Sequence, residues 1–142
     1  MPFAEPAIAG VVIVDIDPHT DERGLFARLQ CPNEFAAAGH AFSPVQVSLS
    51  RNPHLHTLRG MHYRPEGFAE TKLVRVTRGR IHDVALDVRP GSATFGQWTA
   101  VELSAENGRA LLVPEGVAHG FLTLERDTDI IYQIAPEYRP GP

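Results

Sequence analysis

Glycine and proline recur along the whole chain and divide it into short segments. The 142 residues include 12 glycines and 12 prolines, and both residues are unfavourable inside long helices. Between them, apolar residues alternate with polar ones: Val84, Leu86 and Val88 fall on one face of an extended strand, and Asp83 falls on the other. This pattern predicts an all-β fold of about nine short strands.

One segment has the features of a helix. Residues 32–39, PNEFAAAG, carry proline near the start and glycine at the end, as helices commonly do. The other apolar segments are predicted to be strands. They are residues 10–17, 21–30, 42–50, two strands within 72–91 joined by a turn at Arg78-Gly79, and residues 95–104, 108–116, 119–125 and 129–138.

Length and charge narrow the classes of protein to consider. A chain of 142 residues is expected to form one domain around one core. Its net charge of −4 argues against a nucleic-acid partner bound by bulk charge. The single Cys31 cannot form an internal disulfide, and the apolar run 7–14 meets Asp15 too soon to span a bilayer. We therefore expect a cytoplasmic protein without a membrane partner.

The spacing of glycine, proline and histidine in residues 108–119, GRALLVPEGVAH, resembles the second cupin signature. Glycine permits tight turns between strands, and proline is tolerated at a sheet edge. The resemblance implies a single cupin domain over residues 1–142, a double-stranded β-helix (jelly roll) with one short helix. The matching residues are Gly108, Pro114, Gly116 and His119.

Residues 58–65, LRGMHYRP, put two arginines, a histidine and a tyrosine into one strand-like segment. A buried unpaired charge is costly, so this segment lies on the surface or lines a polar cavity. A cupin metal site needs three or four ligands. His54 and His56 have suitable spacing, but Gly60 stands where a glutamate ligand would be needed, and His62 with His119 are too few. We therefore expect no metal.

Seven segments, taken in order, resemble the dTDP-4-dehydrorhamnose 3,5-epimerase family. Together they extend over nearly the whole chain, which makes the resemblance more specific than any single motif. They are DERGLF (21–26), LRGMHY (58–63), KLVRV (72–76), HDVALDVRPGSATFGQW (82–98), LSAEN (103–107), LLVPEGVAHGFLTL (111–124) and IIYQIAPEYRP (130–140).

The resemblance implies a cofactor-free isomerase that epimerises a 4-keto-6-deoxy sugar nucleotide, resembling dTDP-4-dehydro-6-deoxyglucose, in deoxysugar and polysaccharide biosynthesis. Removing a proton beside a ketone needs a base and a group that stabilises the enolate oxygen. Returning a proton on the opposite face needs an acid across the ring. By resemblance, His62 is the base, Lys72 the enolate partner and Tyr132 the acid.

The resemblance also implies a set of substrate-binding residues, in which arginines serve the diphosphate. In the family the DERGLF segment reaches into a neighbouring subunit, so we expect a homodimer with a swapped N-terminal segment. The substrate-binding set is Arg23, Phe26, Gln46, Ser48, Arg59, His119 and Tyr138.

Three features depart from the family. The sequence ends at PEYRPGP, where family members normally continue into a tail that carries the aspartate paired with the catalytic histidine. Asp83 is a candidate replacement partner for His62, because it lies on the strand face opposite Val84. Ser48 stands where the family usually has asparagine, and Arg64 where it has glutamine.

Other interpretations remain open. Each site residue, considered alone, also fits a structural role in the core or on the surface. A 3,4-ketoisomerase acts on the same substrate class, but the RGMHYR segment lacks the second histidine of those enzymes. A non-catalytic cupin that binds a nucleotide sugar is the third interpretation. The sequence leaves open the nucleotide, the sugar and the carbon that is inverted.

Overall fold

The fold is almost entirely β-structure. The computed structural model describes residues 1–136 and Pro140, and the all-β prediction is confirmed in this part of the chain. The elements are β1 (Phe3–Ala4), β2 (Val12–Val14), β3 (His19–Asp21), β4 (Gly24–Phe26), α1 (Pro32–Ala37), β5 (Gln46–Asn52), β6 (Leu58–His62), β7 (Thr71–Arg78), β8 (Arg80–Asp87), β9 (Trp98–Ser104), β10 (Ala110–Val113), β11 (Val117–Thr123) and β12 (Thr128–Ala135).

Two antiparallel sheets form the body of the molecule. The larger has six strands in the order β1-β2-β10-β7-β12-β5, and the smaller has four in the order β6-β11-β8-β9. Among the described strands, β3 and β4 pair only with each other, as a hairpin. This non-sequential strand order is the jelly roll predicted from the sequence, and it leaves β5 and β6 at the edges of their sheets.

The core lies between the two sheets, and a second cluster lies under the helix. The first cluster takes side chains from both sheets, among them Val74 of β7 and Phe121 of β11. The second packs Phe35 of α1, which is fully buried, against Leu73 on the opposite face of β7. Strand β7 is therefore covered on both faces, and this fixes its position firmly.

Several local predictions are confirmed. Helix α1 occupies Pro32–Ala37, and Gly39 just beyond it has a φ of +87°. Strands β7 and β8 are joined at Gly79, as expected from the Arg78-Gly79 turn. No helix in the described part of the chain has the length and hydrophobicity needed to cross a bilayer.

A close contact between two glycines sets the path of β6 along β11. Gly60 has a φ of +108°, and a Cβ atom there would lie 2.6 Å from the Gly120 Cα atom. The pairing shifts by a bulge at this point: His62 lies opposite His119, and Arg59 lies opposite Phe121. An extra residue in a bulge changes the alternation of side chains. The bulge therefore places Arg59 and His62, three residues apart, on the same inward face.

Substituting Gly60 tests this arrangement. Gly60→Ala is expected to lower the free energy of unfolding by about 3 kcal/mol, because it combines backbone strain with a clash against Gly120. Gly39→Ala is the matched control, since Gly39 also has a positive φ but a Cβ atom there would have no neighbouring atom within 4 Å. Its cost is expected to be about 1 kcal/mol. Equal losses for the two variants in urea unfolding would contradict the clash.

Candidate active site

A cavity of about 450 Å³ opens between strands of the two sheets. Strands β6 and β11 of the smaller sheet line one side, and strands β7 and β12 of the larger sheet line the other. Charged, phenolic and imidazole side chains converge on it, which accounts for the unusual composition of the 58–65 segment. The lining residues are His62, Tyr63, Arg64, Glu70, Lys72, Gly116, Val117, Tyr132 and Ile134.

Neighbouring strands of the larger sheet supply Lys72 and Tyr132. Lys72 of β7 lies opposite Ile134 of β12, two positions from Tyr132. The Lys72 Nζ atom is 6.0 Å from the centre of the Tyr132 ring. Residues two positions apart along a strand share one face, as do residues directly opposite each other on paired strands. The Lys72 amine and the Tyr132 phenol therefore point into the same cavity.

Burial shifts the pKa values of both groups. Burial raises the pKa of the Tyr132 phenol well above its usual range, and the negative charge of Asp83 adds to the rise. The phenol is therefore protonated at neutral pH and can donate a proton. Burial lowers the pKa of the Lys72 amine, while the charges of Glu70 and Asp83 oppose this shift.

A buried histidine and aspartate form a pair beside the tyrosine. The His119 Nε2 atom is 2.6 Å from Asp83 Oδ1, and the two side chains are 2% and 0% exposed. The His119 ring meets the Tyr132 ring edge to face, with centroids 6.2 Å apart. Asp83 Oδ2 is buried without a hydrogen-bond partner among the described residues. The pair lies in the smaller sheet, and the charge of Asp83 acts on Lys72 in the larger one.

The sequence-based interpretation of Asp83 is wrong in its choice of partner. Asp83 binds His119 rather than His62, because β8 pairs with β11 and not with β6. Alternation correctly predicted that Asp83 lies on the face opposite Val84, but it carries no information about the neighbouring strand. His62 itself is exposed on the edge strand β6 and makes no ion pair with any carboxylate in residues 1–136.

The hairpin residues lie away from the cavity. Arg23 and Phe26 lie on the β3–β4 hairpin, where Phe26 is 77% exposed. The Arg23 Nη2 atom is 2.6 Å from Asp21 Oδ2 of the same hairpin. Neither residue lines the cavity that contains His62. Within a single chain, the structure does not bring these two predicted residues to the site.

Strand β5 carries the remaining predicted residues of the larger sheet. Gln46 lies opposite Ile134, and Ser48 lies opposite Tyr132. Both are half-buried, so they extend the inner surface beside the phenol. Tyr138 falls outside the described residues.

Two further residues at or near the site were missed from the sequence. Glu70 lines the cavity, and Asn52 at the end of β5 accepts a hydrogen bond from Arg59 Nε at 2.7 Å. No periodic pattern distinguishes either residue. Glu70 lies just before β7, and Asn52 contacts β6, which a loop separates from β5. In residues 1–136 and Pro140, no three His, Cys, Asp or Glu residues are grouped closely enough to bind a metal ion.

Comparison with known proteins gives a consistent result. The family model described as dTDP-4-dehydrorhamnose 3,5-epimerase matches residues 5–142. The enzyme of that name from Sinorhizobium fredii is 43% identical over 138 residues, which cover 97% of this chain and 71% of the relative. The one from Methanothermobacter thermautotrophicus is 40% identical over 138 residues, covering 97% and 74% of the two chains.

Solved structures agree with these relatives. The dTDP-4-dehydrorhamnose 3,5-epimerase of Bacillus anthracis, with TDP and PPi bound, superimposes with a TM-score of 0.93 at 36% identity, covering 97% of this chain and 79% of that one. The dTDP-6-deoxy-D-glucose-3,5-epimerase of Legionella pneumophila, in complex with dTDP-4-keto-L-rhamnose, gives 0.90 at 36% identity, with 98% and 73% covered.

The environment of Lys72 can be measured directly, because Lys72 is the only lysine in the sequence. Protein grown with [13C]lysine will show one Cε signal, whose shift against pH reports the pKa of the amine. We expect the midpoint of this titration to lie below the ordinary lysine pKa of about 10.4. Asp83→Asn is expected to lower the pKa further, because it removes a charge that favours the ammonium ion.

An aspartate far from the cavity provides the control for this titration. Asp127 is exposed, and Asp127→Asn is expected to leave the Lys72 titration unchanged. A wild-type midpoint at or above the ordinary lysine value would contradict the burial of the amine. An unchanged midpoint in Asp83→Asn would contradict the electrostatic contact between the two sheets.

Proposed function

The chain belongs to the dTDP-4-dehydrorhamnose 3,5-epimerase family, and from this premise we propose that it epimerises a 4-keto-6-deoxy sugar nucleotide. The substrate class is that of dTDP-4-dehydro-6-deoxyglucose, used in deoxysugar biosynthesis. The reaction removes a proton from a carbon next to the ketone and returns one to the opposite face. No change in oxidation state is needed, because the carbanion formed is stabilised as an enolate by the adjacent carbonyl.

The observation that carries the proposal is the division of the reacting groups between the two sheets. His62 reaches the cavity from the smaller sheet, and Lys72 and Tyr132 reach it from the larger. A sugar ring between the sheets would have the imidazole on one face and the phenol on the other. This is the arrangement that inversion at a carbon requires.

Each group has a chemical state suited to its proposed role. His62 is exposed at the edge of the cavity, where the lone pair of a neutral imidazole nitrogen can accept the proton. The raised pKa of Tyr132 keeps the phenol protonated and able to donate. Lys72 places an ammonium group where negative charge develops on the enolate oxygen. We propose that the His119–Asp83 pair helps to bind the sugar beside Tyr132.

We also propose that the functional unit is a homodimer with shared sites. The β3–β4 hairpin is exposed along its whole length, and its Leu25 and Phe26 side chains are 61% and 77% exposed. Paired exposed apolar side chains of this size are typical of surfaces that contact another protein. Binding of the hairpin by a second copy would bury them and bring Arg23 to the partner's cavity.

Proton exchange with solvent tests the reaction. With dTDP-4-keto-6-deoxyglucose in deuterated buffer, we expect the proton NMR signals at C3 and C5 to disappear as deuterium is incorporated. His62→Ala is expected to abolish this exchange, because the base is removed. His82→Ala is the matched control, since His82 is exposed on β8 outside the cavity, and it is expected to retain full exchange.

Other outcomes of this experiment distinguish the alternatives. Loss of only one signal identifies a one-carbon epimerase. Movement of the carbonyl from C4 to C3, with the C5 signal retained, would identify the protein as a ketoisomerase and not an epimerase. Broadened ligand signals without exchange would indicate that the protein binds the nucleotide sugar but does not catalyse its epimerisation.

Subunit complementation tests the shared site. Arg23→Ala and His62→Ala are each expected to be inactive, because each removes one part of every site. Co-expressed in one cell, the two variants form mixed dimers in which one site has both wild-type residues. Random pairing restores about a quarter of the wild-type sites. Activity no greater than that of the separate variants would show that Arg23 does not act across subunits.

A further inference from the structure

Arg59 has a neutral hydrogen-bond partner, unlike six other arginines of this chain. In residues 1–136 and Pro140, no carboxylate lies within 4 Å of its guanidinium group, and its two terminal nitrogens make no hydrogen bond to the protein. Six other arginines pair with aspartate or glutamate. They are Arg23, Arg28, Arg51, Arg80, Arg89 and Arg109.

The partner of Arg59 is the side-chain amide of Asn52. Arg59 Nε donates to Asn52 Oδ1 at 2.7 Å. Asn52 is only 1% exposed, so the oxygen is fixed within the fold rather than free to follow the arginine. A short bond to a buried acceptor holds one edge of the planar guanidinium and leaves the other two nitrogens exposed.

The orientation of the Asn52 amide is determined by acceptors around its nitrogen. Nδ2 donates to the carbonyl oxygen of Thr128 at 3.2 Å and to that of Ser50 at 3.3 Å, with Ser50 Oγ at 3.2 Å. Because carbonyl oxygens only accept, the amide nitrogen must face them and the oxygen must face Arg59. This network links β5 and β12 of the larger sheet to β6 of the smaller one.

An amide suits this position better than a carboxylate. Aspartate at residue 52 would face two carbonyl oxygens without a donor, and its charge would neutralise Arg59. Asparagine orients the guanidinium and leaves its positive charge uncompensated. That charge also opposes the rise in the pKa of the Tyr132 phenol.

We propose that Asn52 is a positioning residue that orients Arg59 toward the diphosphate of the nucleotide sugar. This inference rests on the proposed function, since it takes the ligand to be a nucleoside diphosphate. The two exposed guanidinium nitrogens form the fork that binds phosphate oxygens in a bidentate manner. Asn52 reduces the conformational entropy that the Arg59 side chain loses when the diphosphate binds, because the guanidinium is already held in place.

A double-mutant cycle with dTDP as the probe tests the proposal. Calorimetry at one ionic strength compares wild type, Asn52→Ala, Arg59→Met and the double variant. Asn52→Ala is expected to weaken dTDP binding about tenfold in the wild-type background. In the Arg59→Met background it is expected to have no further effect, because the residue that it positions is absent.

Controls separate positioning from a loss of folding. Asn33 is exposed on α1, and Asn33→Ala is expected to leave dTDP binding unchanged in both backgrounds. Thermal melts establish that each variant is folded at the temperature of the titration. If Asn52→Ala does not fold, the cycle is run with Asn52→Ser, which keeps a donor for the Ser50 and Thr128 carbonyls.

The outcomes also separate this inference from the proposed function. An equal loss of affinity in both backgrounds, or no loss in the wild-type background, would overturn the positioning role and leave the proposed function intact. Failure of the wild-type protein to bind dTDP would overturn both.

Discussion

Strand β6 can lie against β11 in its observed register only because residues 60 and 120 are both glycine. The two backbones approach so closely that a Cβ atom on either residue would lie under 3 Å from the other strand. The bulge at this contact places Arg59 and His62 on one face. The charge and the imidazole assigned to the substrate therefore depend on two residues that have no side chains. Asp83, Lys72 and Tyr132 lie on strands whose positions are fixed by the core.

Charged groups at the site interact across the two sheets. Asp83 is buried with His119 in the smaller sheet, and its charge acts on both Lys72 and Tyr132 of the larger sheet. Because the interior has a lower dielectric constant than water, these interactions are stronger than they would be at the surface. The smaller sheet therefore does more than enclose the cavity, since the charge of Asp83 adds to the effect of burial on the pKa of Tyr132 and opposes that effect on the pKa of Lys72.

Much of the architecture could be predicted from the sequence, because local signals determine it. Proline and glycine marked helix α1, and the turn at Gly79 was correctly placed between β7 and β8. The partner of Asp83 could not be predicted, since strands that are neighbours in a jelly roll are distant in sequence. The contact between Asn52 and Arg59 was missed for the same reason: a loop joins β5 to β6, and no spacing rule relates positions across it.

The position of the proposed base and the proposed acid on different sheets has a consequence for the outcome of the reaction. Packed sheets are about 10 Å apart, so a six-membered ring between them is flanked on both faces at once. Inversion then depends on the spacing of the layers as well as on the two side chains that face the ring. In the proposed reaction, the depth to which the ring enters the gap decides which of its carbons lies between the two groups. Substitutions that shift the anchor of the diphosphate by one bond length can therefore change the stereochemistry of the product while leaving every reacting group in place.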